Sequence, residues 1–262
     1  MAKIFRNIVA TTFLITVLCL VLFYPLVLIH RFGWYDLFLL SLAITPGIFI
    51  MVTIYNLDQY DKEPLWLLSI AYIFGAIILY ADIDILEYIF NSINVEKNIL
   101  GVGEKSLIVG VTEEILKFII VLFIIFPNKH FDEPFDGIVY SVFVAMGFAT
   151  AENLTFVMQG SSSTALLRMI SAIPAHFVFA VIMGYYLGKA KSEKKLVYLV
   201  LSLLLPIAIH TIYDYFLFLD FIPGIWIGGL VTLVLALFLA KNSILAHLAA
   251  SPFREDNISE EK

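Results

Sequence analysis

Glu113, Glu114, Glu152, His176, His210 and Asp214 are ionisable residues set in runs that are otherwise apolar. In hydrocarbon such groups are costly, and where they occur they usually serve function. Carboxylates and histidines with no framed nucleophile beside them suit the activation of water. A glutamate shielded from solvent can act as general base near neutral pH. Histidines can orient the water, protonate a leaving group or donate to an oxyanion. The same residue types ligate metals, and a catalytic zinc takes three of them plus water. Glu113, Glu152, His176 and His210 are the candidate ligands, with zinc the ion expected if one is used. There is no His-Glu-x-x-His, no Gly-x-Ser-x-Gly and no phosphate-binding glycine loop. Zincin, serine, nucleotide and dinucleotide chemistry therefore lack their motifs.

Spacing refines this set. Glu113 and Lys117 are i, i+4 and share a helix face, so an ion pair alone would explain both. Glu114 points about 100° away and needs a partner of its own. His210 and Asp214 are again i, i+4, which lets the carboxylate fix the imidazole tautomer. Glu152 follows Gly147, Ala149 and Ala151, small residues suited to close helix packing. Packing does not explain the carboxylate. Taken singly, each histidine is more readily a structural donor than a catalyst.

The elements that carry these residues are membrane helices. The chain is 61% hydrophobic and 15% charged, against about 45–50% and about 25% in a soluble domain. Spans of about 20 apolar residues are expected at 8–29, 35–55, 65–86, 106–126, 136–158, 165–187, 196–219 and 222–241. Asp82, Asp84 and Glu87 crowd the end of the third. These runs are too long and uniform for barrel strands, and only helices or closed barrels satisfy their backbone in lipid. The expectation is an all-α, polytopic membrane protein of about eight helices. It has one helical domain, 1–250, and a short acidic cytoplasmic tail, 251–262. The first apolar run exceeds a signal-peptide core of about 7–15 residues and reads as a retained helix. Cys19 reads as a core-type hydrophobe.

Eleven of the sixteen Lys and Arg residues fall on the side of the two termini and four on the other. The excess puts both termini in the cytoplasm of a multi-pass cell-membrane protein. The run "KAKSEKK" at 189–195 is then a cytoplasmic anchor at the bilayer surface, with no nucleic-acid role. Counting along the helices puts Glu113, Glu152, His176 and His210 about 9–16 Å from their outer ends. Four scattered structural residues need not share a layer. One polar cavity open to the outside would place them in it.

At these residues the chain resembles the PrsW family of bacterial intramembrane proteases, within a wider group that includes the CAAX prenyl proteases and the Abi proteins. The matching pieces are "DQYDKEP" at 58–64, "EEILK" at 113–117, "FDGIVYSVFVAMGFATAEN" at 135–153, "PAHFVFAVIMGYYLG" at 174–188 and "HTIYD" at 210–214. The resemblance implies peptide-bond hydrolysis in or near the membrane. The implied substrate is a single-span protein, with an anti-sigma factor first cut on its extracytoplasmic side as the example. The group's motifs fall on Glu113-Glu114, Phe148-x-x-x-Glu152, His176 and His210-x-x-x-Asp214. The CAAX proteases carry histidine in the second motif and arginine at the end of the first, where this chain has Glu152 and Lys117. Either Glu113 or Glu114 is then the general base, and Lys117 neutralises the other. His176 and His210 position water, stabilise an oxyanion or bind zinc. Asp214 orients His210, and Glu152 is an acid or ligand behind them. "DKEP" before the third helix reads as structural.

Two other classes compete. A proton- or ion-coupled transporter also uses intramembrane Glu, His and Asp, but the chain lacks a clear pair of broken helices in related halves. A catalytically inactive scaffold of the same fold would not need the motif residues intact.

Overall fold

A computed structural model describes residues 2–30, 33–159 and 162–254. The described chain is all-helical. The helices are α1 (Ala2–His30), α2 (Trp34–Leu57), α3 (Leu65–Ser92), α4 (Ile99–Ile120), α5 (Pro134–Gln159), α6 (Ser162–Ile170), α7 (Ala172–Glu193), α8 (Leu196–Phe218) and α9 (Ile227–Ala249). Among the described residues, six helices are long and apolar enough to cross a membrane. They are Trp34–Leu57, Leu65–Ser92, Pro134–Val157, Ala165–Glu193, Leu196–Phe218 and Ile227–Ala249. The run expected at 8–29 contributes the shorter apolar stretch Asn7–Val21. The run expected at 106–126 lies in α4, which also carries Glu104, Lys105, Glu113, Glu114 and Lys117. Of the expected tail, residues 255–262 lie outside the described residues.

α5 is the axis of the molecule. Ile138, Val139, Tyr140, Val142, Val144, Met146 and Phe148 are all fully buried. It packs on α2, α3 and α7 at once, so most of its length is buried and it carries few of the bulky exposed side chains that coat the outer helices. Two of its neighbours come close enough to touch backbone. A Cβ on Gly147 would lie 2.0 Å from Tyr72 O of α3, and one on Gly184 of α7 would lie 2.2 Å from Gly137 O of α5. Small residues at these crossings let the helices approach, which replaces the hydrophobic drive that lipid does not supply.

Four departures from the expected elements appear, the first three around the site. α3 continues to Ser92, six residues past its expected end, so Asp82 lies inside the helix and is buried, while Asp84 and Glu87 are exposed. The run at 165–187 is divided at Ser171 into α6 and α7. Pro174 lies in the first turn of α7, where its missing N–H costs nothing, and cannot continue a helix from α6. The break leaves Arg168 at the end of α6, beside α5. Past Lys117, α4 passes into a π turn over Val121–Ile125, closed by Phe126 N–H to Val121 O at 2.8 Å. The last helix starts at Ile227, five residues after its expected start, because the chain turns through Asp220–Trp226 first.

Candidate active site

α4, α5, α7 and α8 bring the motif residues to one place. α4 supplies the adjacent Glu113 and Glu114 and, one turn later, Lys117 between them. α5 supplies Glu152, α7 His176, and α8 His210 and Asp214. Glu113, Glu114, Lys117, His176 and His210 are each 5% exposed or less. A cluster this charged and this buried persists only if its members satisfy one another.

Lys117 is the hub. Its ammonium donates to Glu113 Oε2 at 3.0 Å and Glu114 Oε1 at 2.8 Å, and lies 3.1 Å from His176 Nδ1. It also sits 4.2 Å over the Phe148 ring. Lys117 therefore pairs with both glutamates, where the sequence suggested a choice between them. An ammonium has only donors, so His176 Nδ1 must be the accepting nitrogen. The proton of a neutral ring is then on Nε2, which donates to Glu152 Oε2 at 2.9 Å. Arg168 Nη2 holds the same Glu152 oxygen at 2.8 Å, and Arg168 Nε donates to Asn153 Oδ1 at 2.9 Å. Arg168 was missed in the sequence as a site residue, because only the break at Ser171 turns it inward.

His210 stands between two carboxylates. Nδ1 lies 3.0 Å from Glu114 Oε1, and Nε2 lies 3.4 Å from Asp214 Oδ2. Both partners are acceptors, so a ring protonated at both nitrogens satisfies both. Phe179 stacks on His210 at 4.6 Å between ring centroids and, with Phe148, walls the two histidines with apolar surface. The partner that Glu114 needed is thus Lys117 and His210 together. Its other oxygen, Oε2, is buried without a hydrogen bond.

Glu113 Oε2, Glu114 Oε1 and His176 Nδ1 are the three atoms that converge on Lys117 Nζ. One ligand atom from each of these residues lies within 4.8 Å of the others, a spacing able to chelate a metal ion. Two carboxylates and an imidazole form a donor set of the type and number a catalytic zinc takes. The ammonium at their centre is a stand-in cation, so the site is built to hold positive charge. A metal would fit these donors once Lys117 withdraws. Of the ligands suggested by sequence, Glu152 and His210 lie outside the three, bonded instead to His176 and Glu114.

A cavity of about 650 Å³ opens beside the cluster. Glu113, Glu152, His176, His210 and Asp214 face it, whereas Glu114 and Lys117 do not. Its remaining surface is largely aliphatic and aromatic, with Asp82 of α3 among it. Sequence reasoning passed over Asp82 because it assigned it to a helix end. The "DKEP" segment lies elsewhere. Glu63 is buried and accepts from Tyr140 Oη, and Glu133 accepts from Ser251 Oγ, in the loops away from this cavity.

A sequence model described as "PrsW family intramembrane metalloprotease" matches residues 63–241. This range contains all of the cluster and cavity residues and leaves out α1, α2 and the end of α9. Protease PrsW of Clostridioides difficile (strain 630) is 38% identical over 195 residues, which is 71% of this chain and 81% of the relative. Protease PrsW of Bacillus subtilis (strain 168) is 35% identical over 182 residues, 68% of this chain and 82% of the relative. Protease PrsW of Geobacillus kaustophilus (strain HTA426) is 35% identical over 181 residues, 68% of this chain and 79% of the relative. No solved structure matches the chain. With a buried Glu–Glu–His cluster at the edge of a cavity between membrane helices, and with this extent of similarity, the chain belongs to the PrsW family of intramembrane metalloproteases.

Proposed function

We propose that the protein hydrolyses a peptide bond of a single-span membrane protein, at the cavity bordered by Glu113, with zinc as the metal. The observation that carries this reading is the convergence of Glu113, Glu114 and His176 on one cation position at the cavity edge. Glu113 is the water-activating base, because its carboxylate faces the cavity while Glu114 stands behind it with Lys117 and His210. Zinc held by His176 and by one oxygen each of Glu113 and Glu114 would act as a Lewis acid toward water and carbonyl, with the second Glu113 oxygen left free as the base.

The remaining work falls to the side chains. Glu113 takes a proton from water as the water oxygen bonds to the scissile carbonyl carbon. His210 faces the cavity with a positive ring held by Glu114 and oriented by Asp214, and its charge stabilises the carbonyl oxygen as that oxygen gains charge. Glu113 then returns its proton to the amide nitrogen as the C–N bond breaks, giving a carboxylic acid and an amine. Glu152, fixed by Arg168, keeps Nε2–H on His176 and its Nδ1 lone pair turned toward the cation position. Phe148 and Phe179 exclude water from the histidines.

The wider setting is part of the same proposal. Eight helices cross the bilayer in one domain, 1–250, both termini are cytoplasmic, and an acidic tail follows. The Lys and Arg asymmetry supports that orientation. The cut then falls in the outer half of the membrane, as in the first cleavage of an anti-sigma factor. The test is cleavage of a library of single-span proteins by the purified protein in lipid. Glu113→Ala, Glu114→Ala and His176→Ala should each abolish it. Cleavage that persists in all three would remove the assignment. Glu113→Gln should cost more in kcat than Glu114→Gln, and the reverse order would move the base to Glu114.

A further inference from the structure

Cutting a peptide bond inside the membrane requires the substrate to lose its helix. In a helix each carbonyl accepts from the turn after it and each N–H donates to the turn before it, which screens the carbonyl from a nucleophile. The N–H groups freed by unwinding find no water in hydrocarbon, so the enzyme must supply acceptors.

One such acceptor stands unused on the cavity wall. On the α3 side the wall is formed by Leu79, Ile83, Leu86 and Phe90. Asp82 lies among them, 2% exposed, with Oδ1 buried and lacking any hydrogen bond. Thr112 of α4 is its hydroxyl neighbour. The single Thr112 proton is shared between its own helix, 3.0 Å from both Ile108 O and Val109 O, and the Asp82 carboxylate, and it leaves Oδ1 without a bond. The cations nearby are also taken. Lys117 is bonded to Glu113 and Glu114, and Arg168 to Glu152. Lys105 packs its ammonium 4.6 Å over the Phe218 ring. An orphaned carboxylate oxygen in a membrane helix is expensive, and residues retained at such cost usually have a partner that arrives from elsewhere.

We propose that Asp82 is a substrate-binding residue whose free carboxylate oxygen accepts a hydrogen bond from a main-chain N–H in the unwound segment of the substrate. This rests on the protease reading for its biological meaning, but not for its test. Asp82 holds the chain in place and takes no part in breaking the bond.

The test compares two small amides binding to the full-length protein in nanodiscs, followed by ligand-observed NMR. One is N-acetyl-leucine N′-methylamide, and the other is its analogue methylated at every nitrogen, which has no N–H. The wild type should prefer the N–H-bearing amide by about fivefold or more, the size of one net hydrogen bond. Asp82→Leu should abolish the preference, and Asp82→Asn, whose side-chain carbonyl still accepts, should keep part of it. Asp82→Leu should also melt at or above the wild-type temperature, since it removes an unpaired buried charge. An absent preference in the wild type, an unchanged one in Asp82→Leu, or a clear fall in its melting temperature would overturn the proposal.

With any cleaved single-span substrate, Asp82→Leu should raise KM about tenfold and leave kcat within about twofold, the pattern of lost uniform binding. A fall in kcat at constant KM would overturn the binding role. Cleavage surviving in the Glu113, Glu114 and His176 variants strikes the protease assignment alone and leaves the amide comparison standing.

Discussion

Lys117 Nζ lies 3.1 Å from His176 Nδ1, across two helices whose residues are 59 apart in sequence. The contact sets the tautomer of His176 and occupies the point toward which Glu113 and Glu114 also turn. An ammonium and a metal ion cannot share that point. A metal ion at these donors and the Lys117 ammonium would therefore be alternatives for one set of ligands.

Lys117→Met makes this measurable. Without metal the variant leaves Glu113 and Glu114 buried with no ammonium, and it should lose about 3–5 kcal/mol of stability. Added zinc should restore much of the loss, and calorimetry should show tighter zinc binding than in the wild type. A variant that neither binds zinc more tightly nor is rescued by it would show that Lys117 does not compete for the site.

The histidines should differ in their protons. Nitrogen NMR of labelled protein should show His176 with its proton on Nε2, toward Glu152, and Nδ1 accepting from Lys117. His210, between Glu114 and Asp214, should carry protons on both nitrogens. Asp214→Asn should weaken the second of these signatures and leave His176 unchanged.

The close helix crossings give a stability test of either sign. Gly147→Ala and Gly184→Ala drive a methyl into the backbone of a neighbouring helix at 2.0 and 2.2 Å. Each should destabilise by about 1–3 kcal/mol. Gly103→Ala meets only the Tyr215 ring, at 3.6 Å, which is ordinary contact. It should be neutral or stabilise by about 0.5–1 kcal/mol through helix propensity. Denaturant unfolding in mixed micelles reads all three.

The loops before α3 and α5 should make stability pH-dependent. Burial pushes the Asp58 carboxyl up to about 6 and those of Glu63 and Glu133 up to about 7. A carboxyl raised in the folded state binds protons more tightly folded than unfolded. Its contribution is complete below the unfolded value of about 4 and is lost as pH rises through 6 to 7. The melting temperature should fall across that window. Glu133→Gln, which mimics the neutral acid held by Ser251, should flatten part of the fall. A melting temperature that rises from pH 4 to 7 in the wild type would contradict this.

Much was legible in the linear chain because lipid imposes a simple code. Runs such as those in α2, α3 and α8 must be apolar for about 20 residues to cross, and six of the expected spans stand as long apolar helices. The motif residues were legible for the same reason, since a carboxylate or histidine in such a run is conspicuous. Element ends were less so. The extension of α3 to Ser92 and the late start of α9 depend on packing and loop geometry, which hydropathy does not record.

Composition alone determined that this is a polytopic helical membrane protein, and spacing within it determined that Glu113, Glu114, Glu152, His176, His210 and Asp214 could meet. Which atoms meet was decided by the tertiary structure. It set Lys117 between both glutamates and His176, brought Arg168 onto Glu152 through the break at Ser171, turned Glu113 but not Glu114 to the cavity, and left one Asp82 oxygen unbonded beside it. The reason is physical. The cost of burying a charge is local and can be read one helix at a time, whereas its compensation comes from other helices and exists only once they pack.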